Sequence, residues 1–172
     1  MLIRRLSPSD APAFQALRLA GLLDTPSAFG RNHAEEKSLP LSAFADRLVQ
    51  REDAAVFGAF DGEALVGIVG LRREDALNYF HKGYLWGMYV VPAARGAGIA
   101  RQLVQTALAF ARGVPGMDKV NLHADATAVP AIALYESLGF VVFSREPDGM
   151  RVNGKRTDEL QMTLHLGVRS ST

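Results

Sequence analysis

The segment Val90-Val91-Pro92-Ala93-Ala94-Arg95-Gly96-Ala97-Gly98-Ile99-Ala100-Arg101 narrows the possible folds more than any other stretch of this chain. Pro92 stops an apolar run, two glycines follow, and a helical pattern begins, so the segment reads as strand, turn and helix. A helix start presents unpaired backbone N–H groups and the positive end of its dipole, and small residues let an anion come close. The segment therefore suits a phosphate, to which Arg95 and Arg101 can add charge; the competing reading is a glycine turn that serves packing alone. Two familiar phosphate loops do not fit. The P-loop needs Gly-Lys-Ser/Thr where Gly98-Ile99-Ala100 stands, and the dinucleotide fingerprint needs a small residue in place of Arg101.

Hydropathy patterning extends outward from this turn. Upstream, Tyr84 to Val91 reads as a strand. So do Ile3 to Leu6, Val56 to Phe60 and Leu65 to Leu71, the last two joined by an Asp61-Gly62 hairpin turn. Downstream, Gly98 to Arg112 is a helix with Ile99, Leu103, Ala107 and Phe110 on one face. Val120 to Ala124 is a strand, Ala131 to Leu138 a helix closed by Gly139, and Phe140 to Ser144 and Glu159 to Leu166 two further strands. Asn153-Gly154 marks a tight turn in an otherwise polar loop before the last strand. Near the amino end, Ser7-Pro8-Ser9-Asp10 opens a helix over Ala11 to Leu23 that buries Phe14, Leu17 and Leu22. A second helix follows Pro40, with Leu41, Phe44, Leu48 and Val49 on its apolar face. Gly30 to Ser38 between them is polar and takes no assignment. The order β-α-α-β-β-β-α-β-α-β-β combines hairpins with one parallel crossover, which predicts a mixed sheet with helices on both faces.

Composition excludes several function classes. At roughly 100–200 residues per domain, 172 residues make one domain, 1–172. Lys and Arg number 19 against 18 Asp and Glu, a net charge of +1, without the surplus that a nucleic-acid or membrane-surface binder uses. Zero cysteines remove disulfides, thiolate metal sites and a cysteine nucleophile. His33 and His165 have no partner at metal-ligand spacing, so no metal is expected. The apolar start Met1-Leu2-Ile3 breaks at Arg4, before a signal-peptide core forms, and a cytoplasmic protein is expected.

The run Arg95-x-x-Gly98-x-Ala100 after Tyr89-Val90-Val91-Pro92 resembles the acyl-CoA pyrophosphate loop of the GCN5-related N-acetyltransferase (GNAT) superfamily. Downstream, Ala131-x-x-Leu134-Tyr135-x-x-x-Gly139-Phe140 resembles a second signature of the same superfamily, and the pair is far more specific than either block alone. The resemblance covers residues 2–166, with its motifs in 84–140. It implies an α/β fold of mixed α+β type: a mostly antiparallel sheet with one central, splayed parallel pair and helices on both faces.

It also implies roles. Acetyl-CoA would be the co-substrate, without a metal. Backbone groups of Met88 and Val90, on either side of Tyr89, would pair with the pantetheine arm, while N–H groups of Gly96, Ala97, Gly98, Ile99 and Ala100 hold the pyrophosphate, flanked by Arg95 and Arg101. Ala131 would touch the same ligand, and Tyr135 would stand beside the thioester sulfur to help the thiolate leave; a core tyrosine is the plainer reading. His123 matches a strand position where N-terminal-amine acetyltransferases carry a base, the alternatives being a structural histidine or a water chain. Passing a proton from an α-ammonium near pKa 8 to an imidazole near 6.5 is uphill by about 2 kcal/mol, whereas from a lysine near 10.4 it is uphill by about 5 kcal/mol. A histidine base thus favours weakly basic amines. Glu74, Asp75 and His81 sit where acceptors enter such folds, and Tyr84 and Trp86 are candidates for the acceptor wall. Ala128 stands where the family often has an asparagine that contacts pantetheine, with Asp125 and Thr127 nearby. The implied function is direct transfer of acetyl to a small-molecule or peptide amine by a monomer or homodimer; the alternative is a catalytically silent acyl-CoA sensor.

Overall fold

The computed structural model describes residues 1–167. Its strands are β1 (Leu2–Arg5), β2 (Ala54–Asp61), β3 (Ala64–Arg73), β4 (Lys82–Val90), β5 (Lys119–Asp125), β6 (Val141–Val152) and β7 (Lys155–His165). The helices are α1 (Ala11–Asp24), α2 (His33–Lys37), α3 (Leu41–Asp46), α4 (Ile99–Gly113) and α5 (Val129–Ser137). The strands form one seven-stranded sheet in the order β1-β2-β3-β4-β5-β7-β6. All neighbours run antiparallel except β4 and β5, because only the crossover through α4 returns the chain in the same direction.

Both faces of the sheet are covered. On one, Ile99, Leu103, Val104, Ala107, Leu108 and Ala111 of α4 pack on Phe57, Val69, Leu71 and Val120. On the other, Phe14, Leu17 and Leu22 of α1 and Phe44 of α3 pack on Val56, Phe60 and Ile68. Burial on both sides explains why β2 and β3 read as nearly continuous apolar runs rather than as alternating ones. Among the described residues no helix is long and apolar enough to cross a membrane.

Three segments differ from the sequence expectation. Gly30 to Ser38, left unassigned, contains α2, whose start is a reciprocal cap: Asn32 Oδ1 accepts from the Glu35 N–H at 2.9 Å and Glu35 accepts from the Asn32 N–H at 3.2 Å. The helix after Pro40 stops at Asp46, so Phe44 and Leu48 are buried while Leu41 and Val49, expected on the same face, are exposed. The polar loop expected before the last strand is a ladder, since β6 and β7 pair from Val141 opposite Thr163 down to Val152 opposite Lys155. This ribbon is largely exposed, which removes the apolar alternation that signals a strand. Its turn at Asn153 (φ 50) and Gly154 (φ 78) has the two positive φ values of a tight hairpin.

Gly70 is opposite Trp86 in the β3–β4 register, and a Cβ added there would run into the indole. Gly70→Ala is expected to cost about 1–3 kcal/mol in a denaturant melt and to change the near-UV circular dichroism of Trp86, the chain's one tryptophan. A native signal with unchanged stability would contradict that contact.

Candidate active site

The parallel pair is brief. β4 and β5 are in register only at Lys82 with Lys119, Gly83 with Val120 and Tyr84 with Asn121. Beyond Tyr84 the strands part, so the rest of β4 has a partner in β3 and none in β5. A bulge shifts the β3–β4 register between Gly70–Trp86 and Ile68–Tyr89, with Gly87 at φ 63. One extra residue reverses the alternation: Leu85, Met88 and Val90 face α4, while Trp86 and Tyr89 face α1. The split opens a cleft of about 940 Å³ lined by Met88, Tyr89, Val90, Arg95, Ala100, His123, Ala131 and Tyr135, among others.

At one end stands the glycine turn. Gly96 has φ 81 and Gly98 φ 75, and a Cβ at Gly96 would meet nothing within 4 Å, so the first N–H groups of α4 are open to a close ligand. Ile99 is buried in the core. The two arginines are tied down. Arg95 donates from Nε to the Val90 carbonyl at 2.9 Å and from Nη2 to Asp24 Oδ2 at 2.5 Å. With Arg95 as the main cause, the Asp24 carboxyl is held below its ordinary range, and Tyr89 also donates to it at 3.2 Å. Arg101 reaches Ser137 Oγ on α5 at 2.7 Å. An anion here would be met chiefly by backbone donors on a loop that these arginines staple to α1 and α5.

At the middle of the cleft are Tyr135 and His123. Tyr135 is 7% exposed and edge-on to Phe140 at 5.8 Å, and burial pushes its hydroxyl up to about 12. His123 on β5 places Nδ1 3.4 Å from Glu159 Oε2, with its side chain 38% exposed. Its ring meets Tyr84 edge-on at 5.5 Å. Burial, and then the Glu159 charge, raise the Tyr84 hydroxyl. Glu159 was not singled out in the sequence. It is opposite Asp125 on β7, and Gln161 is opposite His123, so the period of β7 puts Glu159 diagonally across from the histidine, within side-chain reach. Asp125 Oδ1 accepts from both the backbone N–H and the hydroxyl of Thr127 at 2.8 Å. That turn leads into α5, with Ala128 at its N-cap.

Glu74, Asp75 and His81 are not among the cleft residues; Glu74 pairs with Arg72 at 3.6 Å. Among the described residues no group of three or more His, Asp or Glu is placed to hold a metal.

The far end is built by residues that the sequence did not flag. Glu36 on α2 is 0% exposed and takes Arg18 Nε at 2.6 Å and Nη2 at 2.7 Å. Arg47 Nη1 approaches both of its oxygens at 3.3 Å. Burial alone would raise the Glu36 carboxyl, but the two guanidinium groups outweigh it and hold it below the ordinary range. The Arg18 guanidinium lies 5.2 Å from the Phe29 ring centroid and 5.6 Å from that of Trp86. Its Nη1 is buried without a hydrogen-bond partner.

The pattern of the acetyltransferase (GNAT) family matches residues 19–140. A spermidine N(1)-acetyltransferase from Vibrio cholerae is 28% identical over 102 residues, 59% of this chain and 59% of that protein. A mycothiol acetyltransferase from Brachybacterium faecium is 31% identical over 143 residues, 80% of this chain and 39% of that protein. The chain thus spans about three fifths or less of the length of these relatives. Among solved structures, yncA, a putative acetyltransferase from Salmonella typhimurium with its cofactor acetyl-CoA, superposes with a TM-score of 0.84 at 21% identity, over 100% of this chain and 97% of that one. With the matched region spanning the glycine turn, α4 and α5, the chain belongs to the acetyltransferase (GNAT) family.

Proposed function

We propose that the chain is a single N-acetyltransferase domain that moves the acetyl group of acetyl-CoA directly onto a primary amine. The observation that carries this reading is the convergence of Tyr135 and the His123–Glu159 pair on one cleft, at the point where β4 leaves β5. The cleft suits the co-substrate: the edge of β4 that β5 leaves bare offers strand backbone around Met88 to pantetheine amides, with the Val90 carbonyl already held by Arg95 Nε, and Gly96 to Ala100 offers N–H groups to a pyrophosphate.

Acetyl-CoA supplies an activated thioester carbonyl. The chain's residues do the rest. Glu159 holds the imidazole by Nδ1, which leaves Nε2 to take the proton of the acceptor ammonium and pass it to water. As the C–N bond forms and the C–S bond breaks, Tyr135 donates a hydrogen bond to the departing sulfur. From a phenol at about 12, complete transfer to a thiolate whose thiol is near 8.5 is uphill by about 5 kcal/mol. Tyr135 therefore keeps its proton; the nitrogen sheds its second proton to water as the amide forms, and the thiolate acquires one from solvent.

A CoA-release assay with acetyl-CoA against a panel of peptides and small amines tests this reading. His123→Ala is expected to lower kcat/KM about ten- to a hundredfold with unchanged acetyl-CoA affinity. The effect is bounded because the half-exposed site admits water as a substitute base. Binding of acetyl-CoA without CoA release from any amine would leave the silent sensor as the correct reading.

A further inference from the structure

At the end of the cleft away from the glycine turn, one cation is over-supplied. Glu36 is shared by two guanidinium groups, Arg18 and Arg47. Arg31 is also among the residues that line the cleft. Arg18 spends Nε and Nη2 on Glu36, and the whole residue is only 6% exposed, yet Nη1 has no acceptor. Buried donors are almost always satisfied, so an orphaned one in a cleft wall marks a place for an acceptor from outside. An arginine is also the side chain best shaped for a carboxylate.

The surroundings hold the guanidinium in place. A Cβ on Gly87 would stand 3.0 Å from Nη1, so the glycine at the β4 bulge leaves the guanidinium room to rise against the strand. Phe29 and Trp86 flank it and keep water away, which strengthens any charge-assisted hydrogen bond made there. Both rings line the cleft, as do His123 and Tyr135.

We propose that Arg18 Nη1 receives the carboxylate of the acceptor, so that the amines acetylated here carry an anionic carboxylate, and that polyamines are poor acceptors. The proposal rests on the acetyl-transfer reading of the same cleft. Because Nη1 is closed off in the free chain, the carboxylate displaces a flanking ring to reach it, and Trp86, the one tryptophan, reports the movement.

The test has two readouts on the full chain. CoA release is measured with matched free α-amino acids, their carboxamides, spermidine, and an Ala-Glu dipeptide amide whose only carboxylate is a side chain. Tryptophan emission is titrated with the same compounds. Acids are expected to exceed their amides in kcat/KM by about ten- to a hundredfold and to be the compounds that shift emission. Whichever carboxylate source gives the higher value, free amino acid or acidic peptide, is the physiological type. In Arg18→Met/Glu36→Gln, which removes the buried pair together, the acid-to-amide ratio is expected to fall to about one.

Carboxamides or spermidine turned over as well as acids by the wild-type chain would overturn the proposal while leaving the acetyltransferase reading intact. If no amine releases CoA, that reading fails instead. The emission titration then decides the subsite by itself: a shift with acids alone supports it, and equal or absent shifts refute it.

Discussion

Tyr135→Phe is expected to lower kcat by about 10²–10³-fold, the usual cost of removing one hydrogen-bond donor aimed at developing charge, while KM for acetyl-CoA stays within a few-fold. Phenylalanine retains the ring that packs edge-on against Phe140, so the fold is unaffected and the loss reports the hydroxyl alone. The pH profile separates donor from base. Burial disfavours the phenolate and puts this group at about 12, so its neutral, donating form persists across the range from pH 6 to 10. Steady-state kcat of the wild type is therefore expected to show no alkaline decline from Tyr135 below about pH 11. A decline with an apparent pKa near 9–10 that disappears in Tyr135→Phe would overturn the donor role, as would a variant with unchanged kcat.

Glu36→Ala is expected to be the most destabilising single change near the site, at about 3–5 kcal/mol, since it leaves the buried Arg18 guanidinium without its counter-charge. For a chain of this size that corresponds to a fall in Tm of roughly 10 °C. Arg47→Ala costs less, because Arg47 is partly exposed and its contacts are longer. The sign with pH follows from the lowered Glu36 carboxyl. A carboxyl whose folded pKa lies below its unfolded value adds stability that is complete above the unfolded value, near 4.3, and is lost as pH falls through the folded one. Thermal melts at pH 7 and pH 4 are expected to converge for wild type and Glu36→Gln as the pH drops further. Removing both partners, as in Arg18→Met/Glu36→Gln, should cost less than removing Glu36 alone, because no buried guanidinium is then left without its counter-charge. A Glu36→Ala protein within 1 kcal/mol of wild type would show that the pair is not holding α2 against α1.

The parts of the molecule that depend on neighbours in sequence were legible. Ile99, Leu103 and Ala107 recur at helical spacing and are buried, and Asp61-Gly62 joins β2 to β3 where expected. Arg95 and Ala100, on either side of the two glycines, line one cleft with Tyr135 of α5, whereas Gly96 to Ile99 and Arg101 are not among its lining residues. What was not legible depends on meetings across the fold. In sequence Glu35-Glu36-Lys37 looks like an ordinary solvated charge run, and only the docking of α2 on α1 carries Glu36 under Arg18, with no local signal. In sequence Glu159 is only the start of a strand, and it is the β5–β7 register that sets it beside His123. The outer part of the β6–β7 ribbon, from Arg145 to Asp158, escaped because it is mostly exposed, so no apolar period is left to read there, whereas Leu160 and Met162 further along β7 are buried and were legible.

The brevity of the β4–β5 ladder has a mechanical consequence. Three residue pairs hold the half-sheet β1–β4 to the half-sheet β5–β7, while α4 and α5 bridge them from one side. A ligand lying strand-like in the split would supply the missing rung work between the halves. Occupancy of this cleft and rigidity of the sheet are then one equilibrium, in which each molecule bound also closes a seam that the chain by itself leaves open.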